Sequence, residues 1–323
     1  MKIDILYKLY EKMILIRFVE ERIANNYDQK KMRCPTHLSV GQEAVAAAFG
    51  LASDINDFAV STHRSHAHYL SKGGSLDAMI AEIYGKATGC SKGKGGSMHL
   101  IDTSVNFMGS SAIVGNSIPV GVGIGLSIKL KKSDQVSCVF LGDGATEEGV
   151  FFESINFAAL KELPVLFICE NNFYSVYSPL SVRQPKGRSI SKIVESMGIK
   201  SFKINGYDVK ETYKTFKNLF KNIRKNKEPL FIELDTYRWR EHCGPNYDNN
   251  IGYRSEEEFR RWKRNDPIYL IESEIKLKDK LGLKKIESIK NSISSRIDEA
   301  FVKAENAKAP NIKEAFKDIF AKV

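Results

Sequence analysis

Two apolar runs constrain the fold of this chain more than any other feature. VSCVFL (136–141) and PVLFIC (164–169) show no polar alternation, and a helix-length segment, 147–161, lies between them. A strand read as an unbroken apolar run is covered on both faces, as in a parallel sheet clad in helices. A second such unit follows: KSFKING (200–206), a helix around 211–226 and PLFIELDTY (229–237). DFAVST (57–62) reads as one more short strand. Alternating strands and helices give a right-handed, mostly parallel α/β sheet in a three-layer α/β/α arrangement.

Helices frame this core. Residues 4–26 carry Leu6, Leu9, Met13, Ile16, Val19 and Ile23 at helical spacing. GQEAVAAAFGLAS gives a second helix, rich in small residues. Ser75 is placed to cap a helix over 76–84 that stops at Gly85. A helix over 118–130 opens near Pro119 and holds three glycines, each costing about 1 kcal/mol against Ala. Gly121 and Gly125 share one face, which we expect to serve subunit packing. From about 256 to 323 the chain reads as a charged helical extension. Neither a repeat nor a linker is evident, so residues 1–323 are read as a single domain.

Composition narrows the function. The net charge is +10, with lysine concentrated in KNIRKNK and KLKDKLGLKK. Glutamates interleave there, as on a solvated face. No basic stripe with interleaved aromatics occurs, which argues against nucleic acid and for an anionic substrate or acidic partner. The five cysteines are scattered without a C-x-x-C pair, so reduced thiols in a cytoplasm are expected rather than disulfides or zinc. Cys138 and Cys169 fall inside the apolar strands. No run of about 18 apolar residues is present, so no membrane span is expected. Asp4 and Glu11 interrupt the first segment, which does not read as a signal peptide.

The chemistry sits at the strand ends. Asp143 lies between Gly142 and Gly144 just after the first apolar run; Asn171 and Asn172 close the second. In an open parallel sheet, ligands bind at the carboxyl ends of strands. A carboxylate and an amide oxygen suit Mg²⁺, which fills its other positions with phosphate oxygens and water. Glycines let the backbone approach those phosphates, and a helix starting near Glu147 aims its N–H groups at them. The stretch therefore reads as a cradle for a magnesium diphosphate. The glycine loop GCSKGKGGSMHL has no strand before it and is not a Walker loop.

With these residues in view, the chain resembles the alpha subunit of the thiamine-diphosphate-dependent decarboxylating component of 2-oxo acid dehydrogenase complexes. The similar segments, in the family's order, are GQEA (41–44), HRSH (63–66), GCSKGKGGSMH (89–99), AIVGNSIPVGVGIGL (112–126), the GDG-to-ENN unit and TYRW (236–239). The resemblance implies thiamine diphosphate and Mg²⁺ as cofactors. It implies Asp143, the Asn172 side chain and the Tyr174 carbonyl as metal ligands, and Gly144 and Ala145 on the diphosphate. Arg64 would bond a phosphate oxygen, for which its fork is suited. His63 stands where the family has Tyr and can still donate. The backbone of Ala112 and Val114 would hold the aminopyrimidine, and His66 would lie near the reacting centre.

After TYRW the family has His-Gly-His, whereas this chain has Arg240, Glu241 and His242. Arg240 takes the first histidine's position in strict register, and His242 keeps the second. The loop CGPNYDNNIGYRS lacks the serine pattern of kinase-regulated relatives. The implied reaction is oxidative decarboxylation of a 2-oxo acid, pyruvate for example, with acyl transfer to a lipoyl group on a partner acyltransferase. Acetoin cleavage, or a carboligase or decarboxylase of a sugar or secondary pathway, is the alternative. The Glu that activates the cofactor belongs to a beta subunit in the family, which implies a heterotetramer of two alpha and two beta chains. Glu43 and Glu153 read as structural.

Overall fold

The two apolar runs are neighbouring parallel strands. The computed structural model describes residues 1–32 and 34–317. Its strands are β1 (Phe58–Ser61), β2 (Phe107–Ser110), β3 (Ser137–Gly142), β4 (Val165–Asn171), β5 (Tyr174–Ser175), β6 (Ser178–Pro179), β7 (Lys200–Asn205) and β8 (Leu230–Asp235). Six of them form one parallel sheet in the order β2-β1-β3-β4-β8-β7. The short β5 and β6 form an antiparallel ribbon. Chain order reverses direction between β1 and β3, which is where an open sheet parts to receive a ligand.

The helices are α1 (Ile3–Asn26), α2 (Glu43–Ala52), α3 (His66–Lys72), α4 (Leu76–Ile83), α5 (Ser117–Leu130), α6 (Gly149–Leu160), α7 (Leu180–Arg183), α8 (Ile190–Ser196), α9 (Val209–Asn226), α10 (Glu256–Lys263), α11 (Pro267–Lys278) and α12 (Gly282–Asn306). They cover both sheet faces. Cys138, Phe140, Leu166, Ile168, Leu230 and Ile232 pack in one core with α1, α2, α9, α11 and α12. Val139, Leu141, Val165, Phe167, Cys169 and Phe231 pack in the other with α5, α6 and α8. Strand side chains alternate with period two, so unbroken apolar runs fill both cores. All five cysteines are free thiols.

Several boundaries differ from expectation for identifiable reasons. The helix after β3 begins at Gly149, because Asp143–Glu147 forms a 3₁₀ turn first. The helix expected from 211 begins at Val209, where the Asp208 carboxylate caps the N–H groups of Lys210 and Glu211 at 3.0 and 3.1 Å. The strand β2 and the β5–β6 ribbon were not anticipated, being too short to show a period.

The glycine face of α5 serves a different purpose from the one expected. A Cβ on Gly121 would lie 2.3 Å from Val139 Cγ2, and one on Gly125 2.4 Å from Val165 Cγ2. The two glycines bring α5 against its own sheet, not against another subunit. The charged tail is likewise no loose extension: α12 packs on α4 and α1 and buries Ile293, Ile297, Ala300 and Phe301. No helix among the described residues is long and apolar enough to cross a membrane.

The glycine loop folds around a carboxylate from its own chain. Glu82, fully buried at the end of α4, accepts the backbone N–H groups of Ser91, Gly93, Gly95 and Gly96 at 2.8, 2.8, 2.7 and 3.1 Å. Charge-assisted bonds of this kind contribute about 1.5–3 kcal/mol each and are not additive. Replacing Glu82 with alanine is expected to cost about 3 kcal/mol or more, read by denaturant unfolding, and to make the loop sensitive to proteolysis. An unchanged midpoint and digestion pattern would show that the loop holds itself.

Candidate active site

The carboxyl ends of β1, β3 and β4 open onto one cleft. Its wall carries His63, Arg64, Ala112, Val114, Asp143, Gly144, Ala145, Asn172, Tyr174 and His242. Ten residues singled out in the sequence, spread over some 180 positions of chain, therefore meet at one place.

Sheet register accounts for the pairing at its centre. Gly142 of β3 lies opposite Glu170 of β4, so Asp143 and Asn172 leave the sheet side by side. The Asp143 carboxylate is almost fully buried and accepts the Asn172 backbone N–H. Burial raises its pKa above the usual carboxylate value, while Arg183 pulls it down. The Asn172 side-chain oxygen accepts the Tyr174 N–H at 3.2 Å, an Asx turn that folds Tyr174 back over the strand end. Asn172 Nδ2 faces Gln42 Oε1 at 3.4 Å, leaving the amide oxygen on the turn side.

Arg64 follows β1 and is 6% exposed. Its guanidinium donates to the carbonyls of Leu38 at 2.7 Å and His242 at 3.0 Å. Among the described residues no carboxylate pairs with it. Burial and the nearby Arg238 pull its pKa down to about 10. A buried cation without a counter-ion is costly to keep, so the arrangement suits an incoming anion.

Comparison of the whole chain with known proteins gives its family. Residues 11–313 match the family model described as dehydrogenase E1 component. A Rickettsia bellii protein named pyruvate dehydrogenase E1 component subunit alpha is 37% identical, over 97% of this chain and 95% of that protein. The chloroplastic alpha-3 subunit of the same name from Arabidopsis thaliana is 34% identical over 97% of this chain and 74% of its own length. A Rhizobium meliloti protein named as the alpha subunit is 32% identical over 97% and 89%. The chain belongs to the dehydrogenase E1 component family. The resemblance to an alpha-type chain of a thiamine-diphosphate-dependent oxidoreductase is thereby borne out.

Two residues expected in the site of this E1 chain lie outside the cleft. His66 is fully buried in α3, its ring held between Glu20 at 3.0 Å and Ser97 at 2.7 Å. Both nitrogens are engaged away from the cleft wall, so His66 braces α1 against the glycine loop. Arg240 turns away to pair with Glu21 and the Pro245 carbonyl, its guanidinium 4.7 Å from the Tyr247 ring. Of the two positions after TYRW, only His242 reaches the cleft.

The structure adds residues that the sequence did not single out. His37 packs edge-on to His63 and His242, with ring centroids 4.6 and 5.0 Å apart. Burial, followed by the charge of Arg64, pushes His37 and His242 down to about 2 and His63 down to about 4. All three rings are neutral near pH 7. Among the described residues, buried His37 Nδ1 has no hydrogen-bond partner. Glu170 also lines the cleft and pairs with His68 at 3.1 Å. Histidine at position 37 sits four residues ahead of GQEA with no local pattern to mark it; only the tertiary fold brings it to HRSH.

The cleft fits a magnesium diphosphate on its own chemistry. Oxygen donors from Asp143 and Asn172 stand together, and the guanidinium of Arg64, without a carboxylate partner among the described residues, lines the same cleft. A Cβ on Gly142 would meet nothing within 4 Å, which leaves open space at the strand end. Gly144 plays another part: a Cβ there would come 2.8 Å from Ser175 Oγ, so glycine lets β5 close over the turn. The N–H of Ala112 is donated to His99 Nε2 at 3.3 Å. Val114 is 48% and Ile113 67% exposed, so this wall is left bare by the chain itself.

Proposed function

We propose that this chain is the metal- and diphosphate-holding half of a pyruvate dehydrogenase-type E1 enzyme. The observation that carries the reading is one cleft in which Asp143 and Asn172 adjoin and Arg64 has no carboxylate partner among the described residues. Asp143, the Asn172 amide oxygen and the Tyr174 carbonyl would hold Mg²⁺. Gly144 and Ala145 would lie along the diphosphate, with Arg64 and His63 bonding its oxygens. The backbone of Ala112 and Val114 would support the aminopyrimidine. His242, neutral and in the cleft, takes the role that Arg240 cannot reach; His66 supports the frame.

Thiamine diphosphate, when bound, supplies the electron sink that lets a 2-oxo acid lose carbon dioxide. The protein's share is to fix the cofactor's charged end and to exclude water with β5 and the loop bearing His242. Arg238 ties these two together, donating to the carbonyls of Val176 at 2.6 Å and Arg240 at 2.9 Å. The bare wall at Ile113 and Val114 fits a beta subunit that completes the site in an assembly of two alpha and two beta chains. A lipoyl acyltransferase would receive the acyl group, and the free thiols suit a reducing cytoplasm.

Arg240 stands where the family's first histidine is expected and points out of the cleft, which favours a second substrate class, acetoin or another acyl donor. The test is calorimetry on the assembled, cofactor-stripped enzyme, followed by a panel of 2-oxo acids and acetoin. Thiamine diphosphate should bind only with Mg²⁺, and pyruvate should turn over. Binding without metal, or of nucleotides instead, would contradict the reading; acetoin turnover alone would select the second class.

A further inference from the structure

The strap that follows the metal-side strand carries a cation onto the proposed metal ligand. Residues 178–188 cross the 3₁₀ turn Asp143–Glu147 and are pinned to it at three points. Arg183 Nη2 pairs with Asp143 Oδ2, and Arg183 Nη1 pairs with Glu147 Oε1 at 2.5 Å. Gln184 Nε2 donates to the same Glu147 oxygen at 2.9 Å, and Arg188 Nη2 to the Thr146 carbonyl at 3.3 Å. Arg183 Nε donates back to the Ser178 carbonyl at 3.0 Å. The Arg183 side chain is only 10% exposed and that of Asp143 2%, so the pair is built in rather than lying loose on the surface.

This geometry has a consequence for metal entry. A buried carboxylate needs a counter-charge, and in this arrangement a guanidinium supplies it. Mg²⁺ requires an oxygen of the same carboxylate, with near-octahedral geometry and short bonds. With Arg183 seated on Oδ2, a dication on either oxygen of the same carboxylate would stand cation to cation within a few ångströms of the guanidinium, which disfavours holding both. Glu147 offers Arg183 a second carboxylate a few ångströms away, which does not need to leave the site. Displacement therefore transfers Arg183 from two acids to one, and Asp143 is charge-compensated throughout.

We propose that Arg183 is the resident counter-cation of the metal-free site, and that the metal binds by displacing it from Asp143 onto Glu147. The inference rests on the metal reading given above and adds a competitor to it. Arg183 keeps the turn shaped and shut against water until metal and diphosphate arrive together. The metal alone binds weakly because it must evict Arg183, whereas the diphosphate supplies further ligands for the metal.

The experiment is Mn²⁺ binding to the assembled, cofactor-stripped enzyme, followed by electron paramagnetic resonance without thiamine diphosphate. Arg183→Met should tighten Mn²⁺ at least about fivefold, and Arg183→Lys, which keeps a cation but loses the fork, should shift it less in the same direction. Unchanged or weaker binding in Arg183→Met overturns the proposal. If that variant does not fold, Arg183→Lys decides, with unchanged binding counting against it. Asp143→Asn separates the two levels. If it abolishes Mn²⁺ binding while the Arg183 variants change nothing, only the competition fails. If it leaves Mn²⁺ binding intact, the metal site itself has been misplaced.

Discussion

Replacing Asp143 with alanine is expected to weaken metal-dependent binding of thiamine diphosphate by at least about 100-fold, some 3 kcal/mol. Among the described residues, the side chain is the only carboxylate of the cleft wall that stands beside Asn172; the other, Glu170, is paired with His68. Without it, the proposed ligand set would be left with one amide and one carbonyl oxygen, a neutral set that holds a hard dication poorly. The fold itself should survive. Arg183 retains Glu147, and burial already raises the Asp143 pKa, so removing the carboxylate relieves some desolvation as it loses a pair. Calorimetry with and without Mg²⁺ checks the affinity, and a thermal melt checks the fold. Equal affinity in both proteins would defeat the metal assignment.

The second large effect concerns the missing half of the site. Purified alone, the chain is expected to show less than about 1% of the turnover of the assembled enzyme, since losing a general acid–base group costs 10²–10⁴-fold. The cleft supplies no free acid for the aminopyrimidine. Among the described residues, Asp143 and Glu170 are the two carboxylates on its wall, and both are engaged. Glu43 is buried and held by Arg17 and by the Gly41 N–H, and Glu153 is exposed on α6. Adding the beta chain should restore activity in a saturable way. Full turnover without it would overturn the two-chain account.

How far the sequence reached follows from the kind of signal each element carries. Strands β3 and β4 were legible because burial on both faces writes itself as an unbroken apolar run. Helices α1 and α4 were legible from spacing and, for α4, from the Ser75 cap, whose Oγ accepts the Ala78 N–H at 3.3 Å. The ribbon β5–β6 was not, because two-residue strands have no period; its shape comes from the Asx turn at Asn172 and from left-handed Phe173 and Val176, φ 70° and 54°. Gly121 and Gly125 were read as a smooth face, correctly, yet which surface they meet is a tertiary fact: the valines of β3 and β4.

The site divides in the same way. Asp143, Asn172 and Arg64 follow strand ends, and strand ends converge in any parallel sheet, so their meeting could be reasoned in advance. His66 is placed near the reacting centre by the resemblance at HRSH alone; as the first residue of α3 it turns inward to Glu20 and Ser97. Arg240 was assigned by register, and Glu21 on α1 draws it away. His37 and Arg183 come from segments without a local signature. Only packing places them, one beside His63 and the other on Asp143.

The most direct measurement is a crystal structure of the assembled enzyme soaked with Mn²⁺ and thiamine diphosphate, with anomalous scattering to locate the ion. The account predicts a single peak within about 2.0–2.3 Å of both an Asp143 carboxylate oxygen and the Asn172 amide oxygen, touching the diphosphate. A peak on the histidines 37, 63 and 242, or a diphosphate bound away from Arg64, would contradict it.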